Sequence, residues 1–199
     1  RGHRRVTYAI DGRVTLPGRF AIDWVGTDAR GSLTHRDRDR PSDAIGYGAD
    51  VLAGADARVA AVRDGVAESA SIERNPAHAL GDGAGNYVVL ELAAGRHAFY
   101  EHLRRGSVHV RVGDRVRKGE VIGALGFSGD STGPHLHLHV AADCADPLAC
   151  EGVPFEIEGM TVLGRYDDIG MLGSKPWRNE PRADVAPEWP GSNVVVRFR

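Results

Sequence analysis

One stretch, G-A-L-G-F-S-G-D-S-T-G-P-H-L-H-L-H-V at residues 123–140, constrains this chain more than any other. His135, His137 and His139 alternate with Leu136, Leu138 and Val140, the period of two expected of a half-buried strand. Successive strand side chains point to opposite faces. Three imidazoles therefore share one face and three aliphatic side chains share the other. The aliphatic face is expected to pack on a core and the histidine face to open onto something polar. The preceding Gly-Asp-Ser-Thr-Gly-Pro reads as a turn that delivers the strand. Imidazole is the commonest neutral metal ligand and titrates near neutral pH, so the shared face points to metal binding or acid–base chemistry.

Other segments repeat the strand pattern. Val6–Ile10 ends at Asp11-Gly12, a hairpin signal, and 19–25 reads as a second strand in which Arg19, Ala21, Asp23 and Val25 share a face. Asp23 is an acid inside an apolar run, where an unpaired carboxylate is costly. It could pair with an arginine or bind a cation. Residues 26–46 are charge-rich and aperiodic, a surface loop by composition. Their His35 and Asp39 have helical spacing, but the segment lacks an apolar stripe to support a helix. Strand patterns follow at 50–53, 58–62, 86–92 and 96–103, interrupted by a loop at 67–84. In the 96–103 run Tyr100 and His102 are expected on one face, with Phe99 and Leu103 on the other. Short strands joined by turns fill 108–123. No segment has a helical period, so the expected class is mainly β, a compact antiparallel sheet or sandwich.

After Pro147 the pattern weakens. Residues 154–157 and 160–163 are strand candidates, 166–190 read as an irregular tail anchored by Trp177 and Trp189, and 193–198 as a final strand. Cys144 and Cys150 flank a short Asp-Pro loop and are expected to close as a disulfide, which fits an extracytoplasmic setting. With 25 basic and 27 acidic residues the net charge is -2, so no basic field argues for nucleic acid. No apolar run approaches a membrane span. A chain of 199 residues fits one domain with an appended segment, here expected to be a monomer. The opening Arg1–Arg5 run does not read as a signal peptide, although the sequence could be a trimmed mature form.

Five motifs in order, Y-G-A-D-V-L-A-G-A-D-A-R-V-A-A-V, A-G-N-Y-V-V-L, F-Y-E-H-L, V-G-D-R-V-R-K-G-E-V-I-G-A-L-G and S-T-G-P-H-L-H-L-H-V, resemble the lysostaphin-like, LytM-type zinc metallopeptidases. The resemblance covers 48–140. It implies a β domain over 1–150 of the duplicated-hybrid-motif type, with loop insertions at 26–46 and 67–84, and a C-terminal extension over 151–199 packed on it. It also implies a zinc cofactor and hydrolysis of peptide bonds in peptidoglycan stems or cross-bridges, in the periplasm or outside the cell. By the family pattern His137 is a zinc ligand, His135 the general base, and His102 holds the water or stabilises charge on the attacked carbonyl. The family takes its other ligands from H-x-G-x-D. The positional counterpart here is Arg19-Phe20-Ala21-Ile22-Asp23, which keeps the aspartate but puts a guanidinium, unable to ligate zinc, where the histidine should stand. Three histidines are candidates to complete the site: His3, one short hairpin upstream of Asp23; His35, which with Asp39 keeps the literal spacing; and His139, which shares the face of His137 but stands where the family usually has an acid or amide. His3 is the favoured third ligand, ahead of no third ligand and of His35. Arg19 also leaves open a non-catalytic member that binds peptidoglycan or activates another cell-wall hydrolase.

Overall fold

The computed structural model describes residues 6–10, 12–184 and 191–198. His3 and Trp189 lie outside the described residues. Among those described the regular elements are strands and short 3-10 turns. In chain order the strands are β1 (Tyr8–Ile10), β2 (Arg13–Thr15), β3 (Ile22–Trp24), β4 (Asp50–Leu52), β5 (Ala57–Arg63), β6 (Asn86–Glu91), β7 (Arg96–Leu103), β8 (Arg115–Val116), β9 (Val121–Ala124), β10 (Leu136–Ala142), β11 (Glu151–Gly152), β12 (Met160–Arg165), β13 (Arg178–Asp184) and β14 (Val194–Phe198). The main sheet runs β11-β10-β7-β6-β5-β8, with β3 also on β10, and all its pairs are antiparallel. The mainly β antiparallel class expected from sequence is what the chain adopts.

Period-two alternation divides this sheet between two cores. Val88, Leu90, Ala98, Tyr100 and Val140 pack on one face with Val51, Val59 and Ile122, and Leu136 and Leu138 rest against that cluster. Val89, Phe99, Ala141 and Cys150 form a smaller cluster. The aliphatic side of β10 is therefore buried as expected. The histidine side is buried too: His135, His137 and His139 are 8%, 7% and 1% exposed. It does not open broadly onto solvent, because β3 runs beside it and Phe99 stacks directly on His139, with ring centroids 4.4 Å apart and planes 4° from parallel.

β3 is shorter than the 19–25 run. Pro17 opens a 3-10 turn over Pro17–Phe20, suited by its fixed φ to a first helical position, so Arg19 never joins the strand or shares a face with Asp23. It pairs instead with Glu151, Nη1 to Oε1 at 3.2 Å. The 26–46 loop leaves and returns at one point: Gly26 and Gly46 cross so closely that a Cβ on either would collide with the other's backbone. Within the loop His35 is exposed. Asp39 Oδ1 accepts from Glu73 N–H at 2.7 Å and Ser71 Oγ–H at 2.9 Å, which ties this loop to the 67–84 loop and holds the Asp39 carboxyl below its usual range.

The C-terminal part departs from expectation in two places. Residues 154–157 form no strand, since Pro154 removes a ladder donor. Phe155 instead packs against the larger core. Conversely, part of the supposed irregular tail is β13, which pairs with β12 and leaves its other side at the sheet edge. Its sequence, Arg-Asn-Glu-Pro-Arg-Ala-Asp, has the charge and proline of a protected edge strand. Trp177 anchors it, with Nε1–H donating to Asp28 O at 3.4 Å, and Phe198 of β14 meets Trp24 edge-on at 5.1 Å. Cys144 and Cys150 are joined as a disulfide, Cα to Cα 5.7 Å.

Asn86, fully buried at the start of β6, is the polar hub behind the site. Its Oδ1 accepts from Val66 N–H at 2.8 Å, its Nδ2 donates to Val66 O at 3.0 Å and Leu103 O at 3.1 Å, and its backbone N–H donates to Ser128 Oγ at 2.9 Å. Replacing it by an isosteric apolar residue removes the partner of Val66 N–H and O and one of the two donors to Leu103 O. Asn86→Leu is expected to cost at least ~2 kcal/mol, read as a lower urea midpoint at unchanged m-value.

Candidate metal and acid–base site

Three elements bring the site together. β10 supplies His135 at its entrance and His137 and His139 along it. β3 lies against it with Asp23 opposite His137, and β7 lies on its other side with Glu101 opposite His137. The fourth imidazole, His102, arrives by an irregularity. The β6–β7 register slips between Asn86↔Leu103 and Val88↔Tyr100, leaving one extra residue in β7, and His102 takes φ of +62°. A bulge of this kind re-aims a side chain. Tyr100 and Leu103 consequently share one core, which corrects the simple alternation expected from sequence, and His102 is turned to lie 4.7 Å from His135 and 5.9 Å from His137, ring centroid to centroid.

Backbone carbonyls fix two tautomers. His102 Nδ1 lies 2.8 Å from Ser128 O, and His135 Nδ1 lies 2.8 Å from Gly133 O and 3.1 Å from Ser131 Oγ. A carbonyl oxygen only accepts, so both rings donate Nδ1–H and keep an acceptor lone pair on Nε2. His135 Nε2 is 3.5 Å from Asp23 Oδ1. His137 Nδ1 is 2.9 Å from the same oxygen. The Asp23 side chain is 39% exposed, the most open member of the group.

Burial sets the protonation of the inner members. His102 is lowered from 6.5 to about 3, first by desolvation and then by the neighbouring His135 and His137. Glu101 is raised well above its usual 4.5, first by desolvation and then by the Asp23 charge. In donor chemistry two sets among the described residues can hold a metal ion: His102, His135 and His137, and Glu101, His137 and His139, each with ligand atoms within 4.8 Å of one another.

Of the sequence-predicted residues, His102, His135, His137 and Asp23 therefore converge. His35 is exposed in the 26–46 loop, and Asp39 is engaged in the contacts to the 67–84 loop described above. Sequence reasoning passed over Glu101, Ser128 and Ser131. Glu101 had a signal, an acid within the apolar run Phe-Tyr-Glu-His-Leu; Ser128 and Ser131 act through positions only the folded turn reveals. That turn is held by the 67–84 loop. Asn75 Nδ2 donates to Gly129 O and Ser131 O, both at 3.0 Å, and Glu68 Oε1 accepts from Phe127 N–H at 2.6 Å.

Comparison with known proteins decides the family: peptidase family M23 matches residues 44–147, about half of the chain. The chain belongs to family M23. Among its relatives are an uncharacterized metalloprotease of Haemophilus influenzae, 39% identical over 85 residues (42% of this chain, 17% of that protein), and peptidoglycan DD-endopeptidase ShyC of Vibrio cholerae, 37% identical over 90 residues (45% and 18%). Glycyl-glycine endopeptidase ALE-1 of Staphylococcus capitis is 46% identical over 57 residues (28% and 15%). The matched region is thus under a fifth of each of these relatives. Among solved structures, the catalytic domain of lysostaphin from Staphylococcus simulans aligns over 66% of this chain and 86% of its own at 21% identity and TM-score 0.41.

Two measurements follow for this M23 domain. Left-handed backbone costs a non-glycine residue roughly 1–2 kcal/mol, so His102→Gly is expected to be more stable than His102→Ala by ~1 kcal/mol in chemical denaturation. In metal-free protein the unfolded chain protonates His102 below pH 6.5, whereas the folded chain resists until about pH 3. The unfolded state binds more protons across that window, so this contribution to stability is present above it and lost as pH falls through it. His102→Gln is expected to flatten the acid limb of the stability–pH profile.

Proposed function

We propose that this M23 domain is a zinc-dependent endopeptidase that hydrolyses peptide bonds in peptidoglycan stems or cross-bridges, outside the cytoplasm. The observation that carries this reading is the convergence of His102, His135 and His137 with Asp23 from three separate strands. A set of imidazoles with carbonyl-fixed tautomers beside a carboxylate has the donor chemistry of a zinc site. Zinc, when bound there, acidifies water and draws electron density from the scissile carbonyl.

The residues divide the remaining work. His137 is the ligand from β10, with Asp23 beside it. His135 Nε2 is the general base: its Nδ1–H is committed to Gly133 O, so it accepts the proton of the attacking water at Nε2 and can return it to the leaving amine. A positioned imidazole contributes on the order of 100- to 10,000-fold. His102 has the same tautomer and is neutral at working pH. Its Nε2 is an acceptor, which suits it to orient water and leaves it no proton to donate to a developing oxyanion. Of the two roles open to His102, holding water is the one its chemistry favours. The neutrality of His102 also keeps it from repelling a cation.

A second reading, a binding module without activity, draws on Arg19, which occupies the ligand position of the motif and turns to Glu151. Incubation of zinc-loaded protein with purified peptidoglycan separates the two. New amine termini in the wild type, lost in His135→Ala at unchanged zinc content, are expected of the enzyme. Binding to peptidoglycan without release of fragments would establish the module instead. Loss of zinc in His135→Ala would make that residue a ligand.

A further inference from the structure

We propose that Glu151 is a positioning residue for the metal site: it latches the chain ahead of β3 to the edge of β10 and so sets where Asp23 stands beside His137. The latch, which takes the metal-dependent reading above as its ground, adds to it the residue that places Asp23. β7 and β3 both pair with His137 and Leu138, and β7 and β11 both pair with Ala141 and Ala142. β3 and β11 therefore lie end to end along the side of β10 away from β7, and the segment that delivers Asp23 has to pass β11 before it becomes β3. It passes in contact. Glu151 Oε2 accepts from Leu16 N–H at 2.9 Å, Glu151 Oε1 accepts from Arg19 Nη1–H at 3.2 Å, and Gly152 N–H donates to Leu16 O at 3.2 Å. One residue earlier, Thr15 Oγ1–H donates to Leu148 O at 3.1 Å. A Cβ on Gly152 would stand 2.2 Å from Pro17 O, so only glycine permits this approach.

Glu151 is itself held from behind. It pairs with Ala142 in the β10–β11 ladder and follows Cys150, whose disulfide to Cys144 closes the preceding loop. Within that loop Asp146 Oδ1 accepts from the backbone N–H of Leu148 and of Ala149. From Leu16 the hold is carried forward by two turn bonds, Arg19 N–H to Leu16 O and Ala21 N–H to Gly18 O, up to Ile22, where β3 begins. β3 by contrast has three residues and three register pairs, and the Asp23 side chain it presents is 39% exposed. A strand so short does little to fix its own position. The Arg19–Glu151 pair is open to solvent on both sides, and such a pair adds little to global stability. Its effect is local, because one carboxylate engages a backbone N–H and a guanidinium of the same turn in charge-assisted bonds. Beyond β3 the close approach of Gly26 and Gly46 holds the other end. Arg19, which cannot serve as a metal ligand, thus helps to place the aspartate that the motif keeps.

Two measurements on the full chain, starting from metal-free protein, test the latch. The first is amide hydrogen exchange followed by mass spectrometry. Glu151→Ala is expected to speed exchange across 16–24 on the order of 10-fold and to leave β6 and β7 at the wild-type rate. The second is zinc titration by calorimetry, in which Glu151→Ala is expected to weaken binding on the order of 10-fold, as for a residue that acts through a ligand. Glu151→Gln, which keeps one acceptor oxygen, is expected to fall between Glu151→Ala and the wild type in both. Wild-type exchange and wild-type zinc affinity in Glu151→Ala overturn the latch. Exchange that quickens equally in β6 and β7 overturns it too, because Glu151 then serves the whole fold. Faster exchange across 16–24 at wild-type zinc affinity detaches Glu151 from the site and overturns its positioning role. Absence of zinc binding in the wild type overturns the metal-dependent reading instead; faster exchange confined to 16–24 then still upholds the hold on Asp23, and unchanged exchange sinks both.

Discussion

The site depends on the register of β10 between β7 and β3. Because strand side chains alternate, a slip of one residue would carry the imidazoles into the aliphatic core and the leucines onto the polar side. Two constraints oppose that slip. Leu136, Leu138 and Val140 are seated on the larger core, and on the opposite face Ala141 packs with Phe99 while His139 stacks on the same ring. Hydrophobic packing on both faces thus fixes the positions of side chains whose own interactions are polar. With the register held, Asp23 and Glu101 are both placed opposite His137, one on each side.

Around this ordered strand the polar work is done by irregular structure. The bulge at His102 and the tight turn at 127–131 are coupled: Ser128 O accepts from His102 Nδ1–H, while Ser128 Oγ accepts from Asn86 N–H and donates to Leu103 O. Gly85 and Gly129 approach there without room for a Cβ. The strained backbone of His102 is one cost of bringing a β7 side chain to a β10 site, and the Asn86–Ser128 network is what holds it in that conformation. The 67–84 loop belongs to the same unit, since it braces the turn from outside.

How much of this the sequence disclosed follows from the physics of each part. The histidine strand, the aliphatic face, the mainly β character of the described residues, the disulfide and the surface loop at 26–46 were all legible, because alternation and turn chemistry are local. Asp23 was legible as an acid in an apolar run, and the structure supplies its partner. What local reasoning missed was non-local. The bulge that turns His102 leaves no mark in the period of Phe-Tyr-Glu-His-Leu. Pro17 shortened the strand that would have carried Arg19 beside Asp23. Edge strand β13, rich in charge and containing Pro181, looks like coil because its stability comes from β12. The burial of His139 and Glu101 likewise arises only when β7 and β10 meet.

The crossing of Gly26 over Gly46 has a consequence for how this chain can vary. The segment between them begins and ends at one place in space, so its length is uncoupled from the distance between Asp23 and the strands that follow. Nineteen residues can be shortened, exchanged or extended there without moving Asp23 relative to His137, provided two residues lacking side chains remain at the neck. The loop is in that sense an attachment point, at which this domain can acquire a new surface while the residues around His137 stay where they were.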